Sequence, residues 1–126
     1  MMKYFILSLA VVCLTACTTH DEHYFLVNPK ALNQALENCP KEHPSNLTCD
    51  QLDAIAVDVK KLSYALQSNP QEFGQQILLL QTQLAELHQK LRTKPNQPEI
   101  AATVKSMTLQ LEMRLAIVKW LESPES

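Results

Sequence analysis

The second half of the chain contains two long stretches in which apolar residues recur every three or four positions, the spacing of one face of a helix. In the first stretch the spacings alternate between four and three, a heptad pattern that favours side-by-side helix packing. Residues 94–98, with two prolines, separate the stretches. Two helices of similar length joined by a tight turn predict an antiparallel hairpin. Its seam is predicted to contain Phe73, Ile77, Leu80, Leu84, Leu87 and Leu91 from the first helix, and Ile100, Val104, Met107, Leu111, Leu115, Val118 and Leu121 from the second.

Glycine is nearly absent from the chain: Gly74 is the only one, whereas Leu, Ala, Gln, Glu and Lys dominate the second half. A chain with so little glycine and so many straight-chain residues forms helices readily. No segment alternates apolar and polar residues as a half-buried strand does. We therefore predict an all-α fold. One glycine cannot build a glycine-rich phosphate loop, so nucleotide binding of the usual kinds is excluded.

Start signals precede four predicted helices. Asn28 and Pro29 favour the start of the first, because Asn caps free backbone N–H groups and Pro fits the first turn; Pro40 ends it. Thr48 and Gln51 have the spacing of a capping box, which predicts the start of the second helix. The two hairpin helices have a cap followed by an acid in the first turn, at Asn69 with Glu72 and at Asn96 with Glu99.

Residues 1–17 have the order of a bacterial export signal. Lys3 precedes an apolar run over residues 4–14, which is too short to span a membrane as a helix. The run ends in Leu-Thr-Ala-Cys at Cys17 and resembles the lipobox of bacterial lipoproteins, where the signal peptide is removed and the new N-terminal cysteine is acylated. We predict a lipoprotein signal peptide over 1–16, lipidation of Cys17, a tether over 17–27 and a single helical domain over 28–126. Thr18 after the cysteine favours the outer membrane, facing the periplasm.

Cys39 and Cys49 are the cysteines that remain in the mature chain besides the acylated one. In an oxidising periplasm an even pair is expected to form a disulfide. A loop of about ten residues closed in this way stabilises the fold by roughly 2–3 kcal/mol. The predicted architecture is a small helical domain with a disulfide-pinned N-terminal helix pair and a long antiparallel C-terminal helical hairpin. The apolar faces of the helix pair are predicted to contain Ala31, Leu32, Ala35, Leu36 and Cys39, and Leu52, Ile55, Ala56, Val59, Leu62 and Leu66.

The charge balance argues against a nucleic-acid partner, because 11 basic and 13 acidic residues give a formal charge of −2. One group of metal-capable side chains, His-Asp-Glu-His over residues 20–23, lies in the predicted tether. Since a tether offers nothing to orient metal ligands, we interpret this group as a solvated linker. No metal, cofactor or catalytic site is predicted.

A second cluster contains the residue types that metal-dependent nucleases use, namely carboxylates with a nearby lysine. It lies on a predicted helix, where Asp58 and Lys60 point about 200° apart, so the charges are interpreted as a solvated face. Trp120, near the C-terminus, is either a core residue or an anchor that faces a partner, and the core interpretation is favoured. The cluster comprises Asp50, Asp53, Asp58, Lys60 and Lys61.

Residues 14–50 resemble the entry-exclusion lipoproteins of conjugative elements, the EexN type. Those short exported lipoproteins have an aromatic-Leu-x-x-Pro segment, a helix, one cysteine and a second cysteine about ten residues later. The resemblance implies a lipoprotein that blocks or modulates a conjugation apparatus, and it does not extend to the hairpin. Here the matching features are Tyr24-Phe25-Leu26, Asn28-Pro29, Leu36, Cys39 and Cys49.

A looser resemblance concerns exported helical chains with a Trp-containing C-terminal helix, like residues 115–126 here. Such chains are labelled secreted endonucleases related to archaeal Holliday-junction resolvases, which implies a DNA substrate and a metal-dependent carboxylate site.

The sequence as a whole predicts a lipid-anchored envelope protein that binds a protein partner, either in entry exclusion or in modulating a conjugation or secretion apparatus. Two alternatives stay open: the endonuclease, and a structural lipoprotein that forms homo-oligomers through the hairpin. Enzymatic activity is not favoured, because no catalytic constellation is found.

Overall fold

The computed structural model describes residues 21–41 and 46–123. Within these ranges the chain is helical and contains no strand, which confirms the all-α prediction. The predicted hairpin helices are present, and a short helix precedes the predicted pair. The five helices of the described residues are α1 (Glu22–Val27), α2 (Pro29–Asn38), α3 (Cys49–Ser68), α4 (Pro70–Thr93) and α5 (Pro98–Glu122).

Two helix starts have the predicted capping chemistry. At α3, the Thr48 hydroxyl accepts a hydrogen bond from the Gln51 backbone N–H at 3.1 Å, and the Gln51 side-chain oxygen accepts one from the Thr48 N–H at 2.8 Å. At α4, the Asn69 side-chain oxygen accepts from the Glu72 N–H at 3.1 Å. These bonds satisfy backbone donors that have no partner within the helix, and they fix where α3 and α4 begin.

At the other two predicted helix starts the side-chain caps are absent, although α2 begins at Pro29, directly after Asn28, as predicted. α5 begins after Gln97, one residue beyond Asn96, and no side chain caps it. Asn28 precedes α2, but its side-chain amide donates to the backbone carbonyl of Tyr24 at 2.7 Å. The reason is the neighbouring helix: Asn28 is also the C-terminal cap of α1, so its amide satisfies a carbonyl of that helix.

Residues 22–27, which fall in the predicted tether, form α1. The Asp21 carboxylate caps this helix by accepting a hydrogen bond from the Tyr24 N–H at 2.9 Å. Phe25 and Leu26 are buried against the other helices. Burying each side chain contributes roughly 1.5–3 kcal/mol to stability. This is enough to order the short segment, although its polar first residues predict a tether.

One large apolar cluster joins α1, α2, α3, the start of α4 and the end of α5. The disulfide between Cys39 and Cys49, confirmed in the structure, connects the end of α2 to the first residue of α3, with the Cα atoms 6.1 Å apart. The predicted apolar faces of α2 and α3 turn toward this cluster. Its buried members are Phe25, Leu26, Leu32, Leu52, Ile55, Ala56, Val59, Phe73 and Ile117.

The hairpin of α4 and α5 has a seam of its own. Leu80 and Leu84 are buried, and the α4 face is the predicted one. On α5 one predicted position is wrong: Leu115 is 44% exposed, whereas Ile117 is 0% exposed. The cause is the position of the neighbours, because α5 packs against α1, α2 and α3 as well as α4, and Ile117 belongs to the apolar cluster that contains residues of those three helices. Residues two apart on a helix point about 200° apart. The side of α5 that carries Ile117 therefore differs from the side that carries the predicted heptad seam.

Candidate functional site

The charged side chains of the α3 cluster do not converge on one point. Asp50, Asp53, Asp58, Lys60 and Lys61 are all exposed along one helix. Across the two described ranges, no three His, Cys, Asp or Glu side chains come together in a way that could hold a metal ion.

The metal-capable group of residues 20–23 is divided by the structure. His20 lies outside the described residues, and Asp21 caps α1. The His23 Nε2 atom lies 3.1 Å from the Glu112 Oε2 atom, so this side chain links α1 to α5. Both partners are about half exposed, which makes the link a surface contact. Asp21 and His23 therefore position α1.

The predicted lipidation site, Cys17, lies outside the described residues. Cys39 and Cys49 are joined to each other and link two helices. In the part of the chain that the structure describes, no helix is both long enough and apolar enough to cross a lipid bilayer.

One exposed stretch of α4, between Glu72 and Glu86, carries no charge. Residues 73–85 contain no ionisable side chain, and Leu78 and Leu79 within them are 64% and 50% exposed. The Thr82 hydroxyl donates to the backbone carbonyl of Leu78 at 3.0 Å, so its donor is already used. Among the described helices, α4 contacts α3 and α5 only. We call its exposed uncharged residues the α4 outer face: Gln75, Gln76, Leu78, Leu79, Gln81, Thr82, Gln83 and Ala85.

A surface groove of about 280 Å³ lies where α1 and the start of α2 meet the end of α5. Trp120 lines it and is half-buried, so the core interpretation of this residue holds only in part. Tyr24 lines the same groove, and its ring meets that of Phe25 edge to face, with 5.3 Å between centroids. Lys30 and Lys119 contribute cationic side chains. We call this the α1–α5 groove.

A second groove, of about 250 Å³, lies between α3, α4 and α5, with walls that include Leu62 and Phe73. The Arg114 side chain enters it and donates to the backbone carbonyl of Gln110 at 3.1 Å. Partial burial lowers the pKa of the Arg114 guanidinium below its ordinary value. Glu72 lines the same groove, so its charges are mixed.

The sequence analysis missed the surface features. A signal for the α4 outer face exists in the run Leu78-Leu79-Leu80, since only the last of the three fits the apolar stripe. No such signal exists for the α1–α5 groove, because its two walls are far apart in the chain.

No protein-family model matches the chain, no curated protein is similar to it, and no solved structure matches it.

Proposed function

We propose that this protein is a lipid-anchored envelope protein that acts by binding a protein partner through the α4 outer face. The lipobox ending at Cys17 supports the anchor. The resemblance of residues 14–50 to entry-exclusion lipoproteins supports a partner in a conjugation or secretion apparatus.

The observation that carries the proposal is the exposure of Leu78 and Leu79 within residues 73–85 of α4, a stretch that has no ionisable side chain. Single exposed leucines are ordinary on protein surfaces. This pair differs from such leucines because its neighbours in residues 73–85 are uncharged. The centres of protein interfaces are likewise depleted of charged residues. Covering both side chains removes apolar area from water and stabilises a complex. Glutamines around them can donate and accept hydrogen bonds at the rim.

No observation favours the endonuclease. Asp53 and Asp58 are exposed on α3, and no further carboxylate of the described residues converges on them to hold a metal ion. A second copy of this chain is the alternative partner for the α4 outer face. The experiment must therefore distinguish a homo-oligomer from a complex with a different protein.

The test is site-specific photo-crosslinking of the full chain in living cells. A photoreactive residue replaces Gln75, beside the exposed leucines, and the matched control replaces Lys60 on the exposed face of α3. We expect an adduct of defined mass from position 75 and none from position 60. Leu78→Glu combined with Leu79→Glu should abolish the adduct, while Leu78→Met should retain it.

Two results would count against the proposal. An adduct with twice the mass of the chain would assign the face to homo-oligomer formation. Absence of any adduct at position 75, in cells where the protein is acylated and membrane-bound, would refute a partner at this face.

A further inference from the structure

We infer that the protein partner of the α4 outer face also inserts a carboxylate side chain, flanked by apolar residues, into the groove between α3, α4 and α5, where Arg114 binds it. We call this the Arg114 groove. The inference rests on the proposed function. It adds the chemistry of the partner segment, because it names an acidic residue of the partner and the arginine that recognises it.

The first argument is the state of the Arg114 side chain. A guanidinium has five N–H donors, and the structure shows one bond from this group, to the backbone carbonyl of Gln110 at 3.1 Å. In the described ranges no carboxylate lies at ion-pair distance from Arg114. Its partial burial removes water from the charged group, which lowers its pKa. Arg114 therefore presents a partly desolvated charge whose remaining donors can bind a carboxylate through two parallel hydrogen bonds.

The second argument is the lining of the groove. Leu62 and Phe73 form part of its walls, so a side chain that enters the groove meets apolar surface beside the cation. Its volume of about 250 Å³ lies below the roughly 300–1,000 Å³ of most small-molecule sites, which favours side chains of a docked protein as the occupant.

Glu72 restricts the charge of the occupant. It lines the groove, and its Oε2 atom accepts a hydrogen bond from the Asn69 side-chain amide at 3.2 Å, within the cap of α4. A negative charge at this place disfavours a phosphate or any other group with several negative charges, because like charges held close together repel. A single carboxylate with an apolar neighbour suits both Arg114 and the walls.

The third argument is the position of the groove. Gln76 lines it and also belongs to the α4 outer face. Leu79 follows Gln76 by three residues, so the two side chains are neighbours on the surface of α4. A partner that covers Leu79 therefore reaches the edge of the Arg114 groove. Arginine is enriched in protein interfaces, whereas lysine is depleted, so Arg114 is of the residue type that such a contact uses.

The test is carbodiimide coupling, which joins an amine to a nearby carboxylate as an amide, in envelopes that contain the full chain. Arg114→Lys combined with Glu72→Gln places an amine in the groove and removes the carboxylate that lines it. We expect an amide between position 114 and an Asp or Glu side chain of the partner, identified by mass spectrometry of the joined peptides. Lys105, an exposed amine nine residues earlier on α5, is the internal control and should not be joined to that carboxylate.

The photo-crosslink from position 75 gives a second measurement with the native arginine in place. Arg114→Gln should lower the yield of the adduct several-fold, because it removes the cation that binds the partner carboxylate. The matched control, Lys105→Gln, removes the same charge from the same helix and should leave the yield unchanged. Circular dichroism of both variants establishes that they are folded.

The results separate two levels of failure. If the chain with native Arg114 gives no adduct from position 75, the proposed function is wrong and the inference falls with it. If that adduct forms, the absence of a partner carboxylate at position 114, or an unchanged yield in Arg114→Gln, overturns the inference alone. An amide from position 114 to a second copy of this chain also overturns it, because the groove then belongs to a homo-oligomer contact.

Discussion

The buried face of α5 can be tested by comparing Ile117→Ala with Leu115→Ala. Ile117 is 0% exposed and belongs to the central apolar cluster, whereas Leu115 is 44% exposed. Each substitution removes three carbon atoms from the same helix. The heptad pattern places Leu115 inside, and the structure places Ile117 inside, so the two interpretations predict opposite rankings.

The magnitudes follow from burial. Three buried carbons at about 0.8 kcal/mol each give a transfer term of roughly 2.4 kcal/mol for Ile117→Ala. The cavity left behind raises the total to about 3–4 kcal/mol. At Leu115 about half of the transfer term is lost, roughly 1 kcal/mol, and collapse of the exposed site leaves little cavity. Alanine has the higher helix propensity, which offsets either loss by less than about 0.7 kcal/mol.

Urea unfolding followed by circular dichroism measures both values in the mature chain. For a domain of this size 1 kcal/mol corresponds to about 4–8 °C, so Ile117→Ala should lower the melting temperature by at least about 10 °C. Leu115→Ala should lower it by less than half of that. A loss of stability at Leu115 equal to or greater than that at Ile117 would refute the proposed packing of α5.

Four further results are expected. Cys17→Ser should leave the protein unacylated and in its precursor form, which metabolic labelling with palmitate and gel mobility would detect; labelled Cys17→Ser would place the anchor elsewhere. Replacing Cys39 or Cys49 by serine should cost roughly 2–3 kcal/mol and act mainly on α1 to α3, as hydrogen exchange would reveal; two reactive thiols in the undenatured wild type would contradict the bridge. Leu84→Asp should cost several kcal/mol by burying a carboxylate in the hairpin seam, while Gln83→Asp on the exposed side should be tolerated; equal losses of helix content would reverse the orientation of α4. The purified protein should neither nick plasmid DNA with Mg²⁺ or Mn²⁺ nor bind it appreciably at physiological salt, and metal-dependent nicking would restore the endonuclease hypothesis.

Local chemistry made much of this fold predictable. The capping bonds at Thr48 and Asn69 join residues three apart, so their geometry depends on one turn of chain. The apolar stripes of α2, α3 and α4 each face a single side, and a stripe of that kind specifies its own buried face. The disulfide followed from the number and placement of the cysteines in a chain that the sequence predicts to be exported. None of these inferences required knowledge of which helices meet.

The remaining features depend on tertiary packing. α1 is ordered because Phe25 and Leu26 find an apolar cluster formed by distant segments, and nothing local to residues 22–27 indicates that cluster. α5 has apolar residues on several sides, and its neighbours decide that Ile117 is buried and Leu115 exposed. The same packing forms the α1–α5 groove, which both Tyr24 and Trp120 line. A helix with a single apolar stripe specifies its own buried face, whereas a helix with apolar residues on several sides acquires its buried face from the arrangement of its neighbours.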